Sequence, residues 1–312
     1  MGALLTEDAR GVYAIAVTPF TPTGEVDDAS IESLVAFYLA QGVHGLTFLG
    51  MMGEAPKLTE AESLAVVTRA LAATAGAVPL IVGVSGSSLA TMRALAHASM
   101  EAGAAGVMVA PAAGLRTDEQ ILGYYARVFA TLGPDVPVIY QDYPQSTGVQ
   151  LSVPVFLQLV RTYPQVKMLK HEDCPGLGKI SRIRADSEAQ GVRRVSILVG
   201  NGGLYYPLEL LRGADGAMTG FGYPQMLVDV YERFIAGERD GAEDLFDAYL
   251  PLVRYEQQPG IGLPIRKELL RRQGAIRSAA LRQPGPALSP RDVEELDHLL
   301  ARLGRHRTQG AA

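Results

Sequence analysis

Eight times along this chain a short apolar run gives way to a helical pattern, and that alternation restricts the fold more than any other feature. The runs lie at residues 12–18, 45–49, 80–84, 106–110, 138–142, 166–171, 196–199 and 216–219. Each is opened or closed by glycine or proline, and none alternates apolar with polar residues. A strand that buries one face alternates; a parallel strand covered on both faces does not. The helical patterns between them carry start signals, clearest in Thr59-Glu60-Ala61-Glu62 and Thr117-Asp118-Glu119-Gln120, which have capping-box form. Gly42-Val43-His44-Gly45, Gly103-Ala104-Ala105-Gly106 and Gly213-Ala214-Asp215-Gly216 each end a helix with one glycine and open a strand with another. Eight such units predict a closed TIM (β/α)8 barrel. An open doubly wound sheet would want a glycine-rich phosphate loop after the first strand, where this chain has Thr18-Pro19-Phe20-Thr21-Pro22-Thr23-Gly24.

Additional C-terminal helices follow the eighth strand, over residues 225–258 with a break near Gly237, 262–273 and 290–303, with residues 283–286 as a stiff connector. The expected organisation is barrel strands and helices in 1–224, the last barrel helix and a helical segment in 225–303, and a disordered tail in 304–312. With 28 basic and 33 acidic residues spread along the chain, a net charge of −5 and no dense basic run, neither nucleic acid nor a membrane surface is an expected partner. One cysteine, Cys174, leaves no internal disulfide to form, and the histidines (His44, His97, His171, His298, His306) show no ligand spacing, so no metal and no cofactor are expected. The first ten residues lack a signal-peptide pattern and no apolar run reaches the length of a membrane span, which predicts a cytoplasmic protein acting on a small molecule.

In a (β/α)8 barrel the chemistry sits at the carboxyl ends of the strands. The sixth run ends Val166-Lys167-Met168-Leu169-Lys170-His171-Glu172, and strand alternation puts Val166, Met168, Lys170 and Glu172 on one face. If that face is the lumen, removal from water favours the neutral amine of Lys170, a nucleophile able to condense with a ketone, with Glu172 beside it as acid, base or counter-charge. A solvated Lys–Glu pair at a strand end has the same pattern. After the second run, Gly50-Met51-Met52-Gly53-Glu54 can converge backbone N–H groups on a carboxylate, or simply turn tightly. The fifth run ends in polar and aromatic residues, Tyr140-Gln141-Asp142-Tyr143-Pro144.

Together these segments resemble the dihydrodipicolinate synthase and N-acetylneuraminate lyase family, the class I Schiff-base lyases. The resemblance runs from about Val12 to Leu303 and includes Val17-Thr18-Pro19-Phe20 and Gly24-Glu25-Val26-Asp27. It implies that Lys170 forms an imine with a 2-oxo acid such as pyruvate, that Gly50, Met51, Met52 and Gly53 bind its carboxylate, and that the protein is a homotetramer. Met52 stands where the family has a relay threonine. Counting from Pro144 and Thr147-Gly148 puts Gln141 in the place of the family's catalytic tyrosine, and Tyr140, one step away, faces the other side. Ser146 stands where dihydrodipicolinate synthases have an arginine, which disfavours their own condensation reaction. Gln141-Asp142-Tyr143-Pro144, Lys170-His171-Glu172, residues 213–220 and Tyr249-Leu250-Pro251-Leu252 are similar to the branch that dehydrates 2-keto-3-deoxy sugar acids.

The expected chemistry is therefore imine formation on Lys170, loss of a C3 proton, and either expulsion of a C4 hydroxyl (dehydration) or release of an aldehyde (aldol cleavage). Glu172 is the first candidate acid–base group, with Gln141 and Tyr143 the others. Asn201, in Gly200-Asn201-Gly202-Gly203, and Gly220 complete the expected substrate contacts; a structural turn explains Asn201 equally well. The rival expectation is a pseudoenzyme that binds a small 2-oxo acid without turnover, suggested by Met51-Met52 and Gln141.

Overall fold

A computed structural model of the chain describes residues 3–309 other than 87 and 175. Eight parallel strands close into a barrel in sequence order: β1 Gly11–Ile15, β2 Gly45–Phe48, β3 Leu80–Gly83, β4 Gly106–Val109, β5 Val138–Asp142, β6 Val166–His171, β7 Ser196–Val199 and β8 Gly216–Thr219. The helices are α1 Asp28–Ala40, α2 Glu60–Thr74, α3 Leu89–Glu101, α4 Asp118–Leu132, α5 Pro144–Thr147, α6 Val153–Thr162, α7 Leu177–Ala189, α8 Tyr206–Leu211, α9 Pro224–Ile235, α10 Arg239–Glu256, α11 Gly262–Arg272 and α12 Pro290–Gln309. Both capping boxes form, at Thr59 and Thr117. The break near Gly237 separates α9 from α10, with that glycine at φ +85°. The tail departs from expectation: α12 carries its helix through Gly304 to Gln309, and residues 310–312 lie outside the described part.

Strand parity sorts side chains into two cores. Tyr13, Ile15, Ile81, Met108, Ile139, Met168, Leu198 and Met218 fill the lumen, while Val12, Ala14, Val82, Val109, Tyr140, Leu169 and Ile197 face the helices. Each fully buried aliphatic side chain contributes roughly 2 kcal/mol by leaving water. The strand-opening glycines serve close approach: a Cβ at Gly216 would lie 2.0 Å from the carbonyl oxygen of Gly11 on the adjacent strand.

One parity expectation fails. Val138 pairs with Val166 but Ile139 pairs with Met168, so the register shifts and β6 holds an extra residue at Lys167. Val166 therefore joins the outer core instead of sharing the lumen face of Lys170. Lys167 points to the amino end of the barrel, where its Nζ lies 2.9 Å from Glu7.

Candidate active site

Beyond the irregularity, β5 and β6 run in clean register and Gln141 lies opposite Lys170. Both side chains enter the lumen above Ile139 and Met168, and both are buried. Lys170 Nζ sits 2.9 Å from Oε2 of Glu172. The same oxygen accepts a 2.8 Å hydrogen bond from Gln141 Nε2. An amine, a carboxylate and an amide thus form one buried group on a two-strand ledge. The carboxylate needs room: a Cβ at Gly200, at the end of β7, would fall 2.2 Å from Cγ of Glu172. Asn201, at φ +51°, donates from Nδ2 to the Glu172 carbonyl at 3.1 Å. Its amide is therefore committed to holding Glu172 in place.

On the other side of the strand, Tyr140 lies in the outer core, its ring stacked on Tyr125 at 4.5 Å between centroids. Burial, and then the Asp142 carboxylate, push its phenol far above the usual range. Asp142 and His171 pair across β5 and β6 on that outer face, where Lys179 of α7 reaches Asp142 at 2.6 Å.

The turn after β2 faces this ledge across the barrel. Met51–Gly53 form a single 3-10 turn, flanked by Leu49 at φ +57° and Glu54 at φ +52°. Non-glycine residues take such angles only where their surroundings enforce them. Here Thr18 Oγ1 donates to the Gly53 carbonyl at 2.6 Å, and buried Glu54 receives Lys57 at 2.8 Å and Lys267 of α11 at 2.6 Å. The N–H groups of Gly53 and Glu54 are spent on the carbonyls of Gly50 and Met51. The opening N–H groups of such a turn, those of Met51 and Met52, have no partner inside it. Met52 also packs against the lumen core.

The cleft is lined by Ile15, Met51, Met52, Gln141, Tyr143, Lys170, Glu172, Asn201, Gly202, Thr219, Gly220, Gln257 and Arg266. Gly50 and Gly53 frame the β2 turn without lining it. Tyr143, at the start of α5, is half-buried; desolvation, and then the Glu172 carboxylate, raise its phenol above the ordinary value, which keeps it a hydroxyl donor. Cys174, two residues beyond Glu172, is exposed.

Thr219, Gln257 and Arg266 stand outside the sequence-based expectations. Thr219 ends β8 and its hydroxyl accepts from the N–H of Gly202 at 2.8 Å. Gln257 and Arg266 come from the C-terminal helices, which reach over the barrel mouth instead of standing apart from it. Arg266 is 1% exposed and donates from Nε to Glu256 at 2.6 Å. Burial raises the Glu256 carboxyl, with the guanidinium opposing. One sequence signal pointed there: Arg266 stands among Ile265, Leu269 and Leu270 on an otherwise apolar stripe of α11.

A sequence model of the Dihydrodipicolinate synthetase family matches residues 8–303. An L-2-keto-3-deoxyarabonate dehydratase of Azospirillum brasilense is 33% identical over 304 residues, covering 94% of each chain. A 4-hydroxy-tetrahydrodipicolinate synthase of Sorangium cellulosum is 33% identical over 245 residues, covering 78% of this chain and 79% of its own. A crystal structure titled dihydrodipicolinate synthase from Rhodopseudomonas palustris superposes with a TM-score of 0.94 at 50% identity, covering 96% of this chain and all of that one. No helix among the described residues is long and apolar enough to cross a membrane.

Proposed function

The chain belongs to the dihydrodipicolinate synthetase family and is a lyase of the class I aldolase type, and from that premise we propose that it dehydrates a 2-keto-3-deoxy sugar acid through an imine on Lys170. The observation that carries the reading is the shared Glu172 oxygen, 2.9 Å from Lys170 Nζ and 2.8 Å from Gln141 Nε2. The amine attacks C2 of the 2-oxo acid, and the carbonyl oxygen leaves as water. The resulting iminium is an electron sink for C3. Glu172, within reach of the nitrogen, is the base that takes the C3 proton, and Gln141 holds its carboxylate. The enamine then expels the C4 hydroxyl, which leaves as water on receiving a proton from Glu172 or Tyr143. In a five-carbon acid, loss of a C5 proton and tautomerisation of the enol give an aldehyde at C5, and water returns the product from Lys170.

The A. brasilense dehydratase supports this direction by its name and its full-length match. The R. palustris structure carries the name of a condensing enzyme, the reaction that Ser146 disfavours here; that condensation is the second reading. Self-association into a homo-oligomer, four chains by the family resemblance, belongs to the same proposal. Borohydride reduction in the presence of pyruvate, followed by peptide mass analysis, should mark Lys170. Failure to mark it with any 2-oxo acid sinks the imine. With the imine in hand, an assay for 2-oxoglutarate semialdehyde from a five-carbon 2-keto-3-deoxy acid should show product. Release of a shorter aldehyde would assign aldol cleavage, and consumption of aspartate semialdehyde with pyruvate would assign condensation.

A further inference from the structure

Arg266 presents a donor that nothing among the described residues uses. Its Nη1 is buried and has no hydrogen-bond partner among the described residues, although the same side chain holds Glu256 through Nε. A buried N–H without an acceptor costs about 1–3 kcal/mol, so such a group in a cleft wall marks the place of a missing oxygen. The chain makes room for it. A Cβ at Gly220 would lie 2.1 Å from Nη1, so only a glycine there lets the guanidinium occupy the wall. Arg266 is itself fixed: Glu256 is buried, and its second oxygen accepts from the N–H of Gly222 at 2.8 Å.

The barrel order says which part of a substrate arrives there. With C2 joined to Lys170 on β6 and the carboxylate on the turn after β2, directly across eight strands, the rest of the acid must run toward either β4 or β8. Among the described residues, the cleft lining includes none from β3 or β4. The β8 side offers Thr219, Gln257 and Arg266. A hydroxylated chain takes the polar side. Glu256 already matches the guanidinium charge, so a neutral oxygen satisfies Nη1 without adding an unbalanced charge, whereas a second carboxylate would add one.

We propose that Arg266 Nη1 binds the C5 hydroxyl of the substrate and thereby selects 2-keto-3-deoxy acids hydroxylated beyond C4 over shorter or unhydroxylated 2-oxo acids. This rests on the Lys170 imine reading. Arg266→Lys keeps a cation for Glu256 and removes the forked donor. Its KM for the five-carbon 2-keto-3-deoxy acid should rise about tenfold or more, the loss of a charge-assisted hydrogen bond. Borohydride trapping of pyruvate on Lys170 should be unchanged. An unchanged KM overturns the assignment. So does an equal loss in pyruvate trapping, which would place Arg266 on the carboxylate or in the fold. Should the variant not fold, the unmodified enzyme decides: 4-hydroxy-2-oxopentanoate, which lacks only the C5 hydroxyl, should compete for Lys170 about tenfold more weakly than its hydroxylated parent. Equal competition overturns the proposal. Absence of any adduct in the unmodified enzyme would instead remove the imine reading, and this one with it.

Discussion

Oε2 of Glu172 takes two donors at once, one from the nucleophile and one from an amide whose own position is set by strand register. Replacing that carboxylate separates binding from turnover. Glu172→Gln should still form a reducible adduct with pyruvate, yet lose about 100- to 10,000-fold in kcat, as expected for removal of a positioned base. Single-turnover trapping beside steady-state rates reads both quantities. Tyr140→Phe makes the opposite prediction, since its ring lies behind the strand against Tyr125: kcat should be that of the unmodified enzyme. A large loss in Tyr140→Phe would mean that the lumen side of β5 has been misassigned. Parity makes this contrast legible in the sequence, because one step along a strand reverses a side chain. Parity could not reveal Val166, whose face depends on the register shift at Lys167, nor the commitment of Asn201 to a backbone carbonyl.

At the scale of elements, α11 does two jobs with consecutive residues. Arg266 enters the cleft while Lys267, fully buried, reaches Glu54 at 2.6 Å and so ties the β2 turn to the C-terminal helices. Lys267→Met leaves a buried carboxylate with one cation fewer, and should destabilise the protein by about 3–5 kcal/mol, read as a lowered urea midpoint. α8 holds a different kind of group. Burial alone raises the Glu209 carboxyl from its ordinary 4.5 to about 8, and its Oε2 has no partner among the described residues. Between those two values the folded chain binds more protons than the unfolded one, so this group makes stability fall as pH rises from about 4.5 to about 8. Glu209→Gln lacks that loss. Its midpoint should match that of the unmodified protein near pH 4 and exceed it at pH 8; equal midpoints at both would refute the sign. The strands and the capped helices were readable because period and cap chemistry are local. The placement of α11 over the mouth depends on ion pairs between residues far apart in sequence, which no local pattern encodes.

For the whole molecule, exposed apolar side chains gather around one short helix, at Tyr205, Leu208 and Leu211. They are the natural contact for the proposed self-association. Light scattering should return a multiple of the 33.2 kDa chain mass, and Leu208→Glu should lower it; a monomer at all concentrations would remove the oligomer from the proposal. The barrel itself followed from eight repeated units, whereas the division at residue 224 does not describe the site, since Gln257 and Arg266 lie beyond it and line the same cleft as Lys170. The single thiol has a practical consequence. Cys174 is exposed, has no other cysteine to compete with it, and stands two residues from the proposed base. A thiol-reactive fluorophore would therefore attach at one address on the rim of the mouth, in a chain that lacks tryptophan and whose intrinsic emission comes from its 13 tyrosines and 8 phenylalanines. The protein comes with its own place for an optical gauge of an arriving acid.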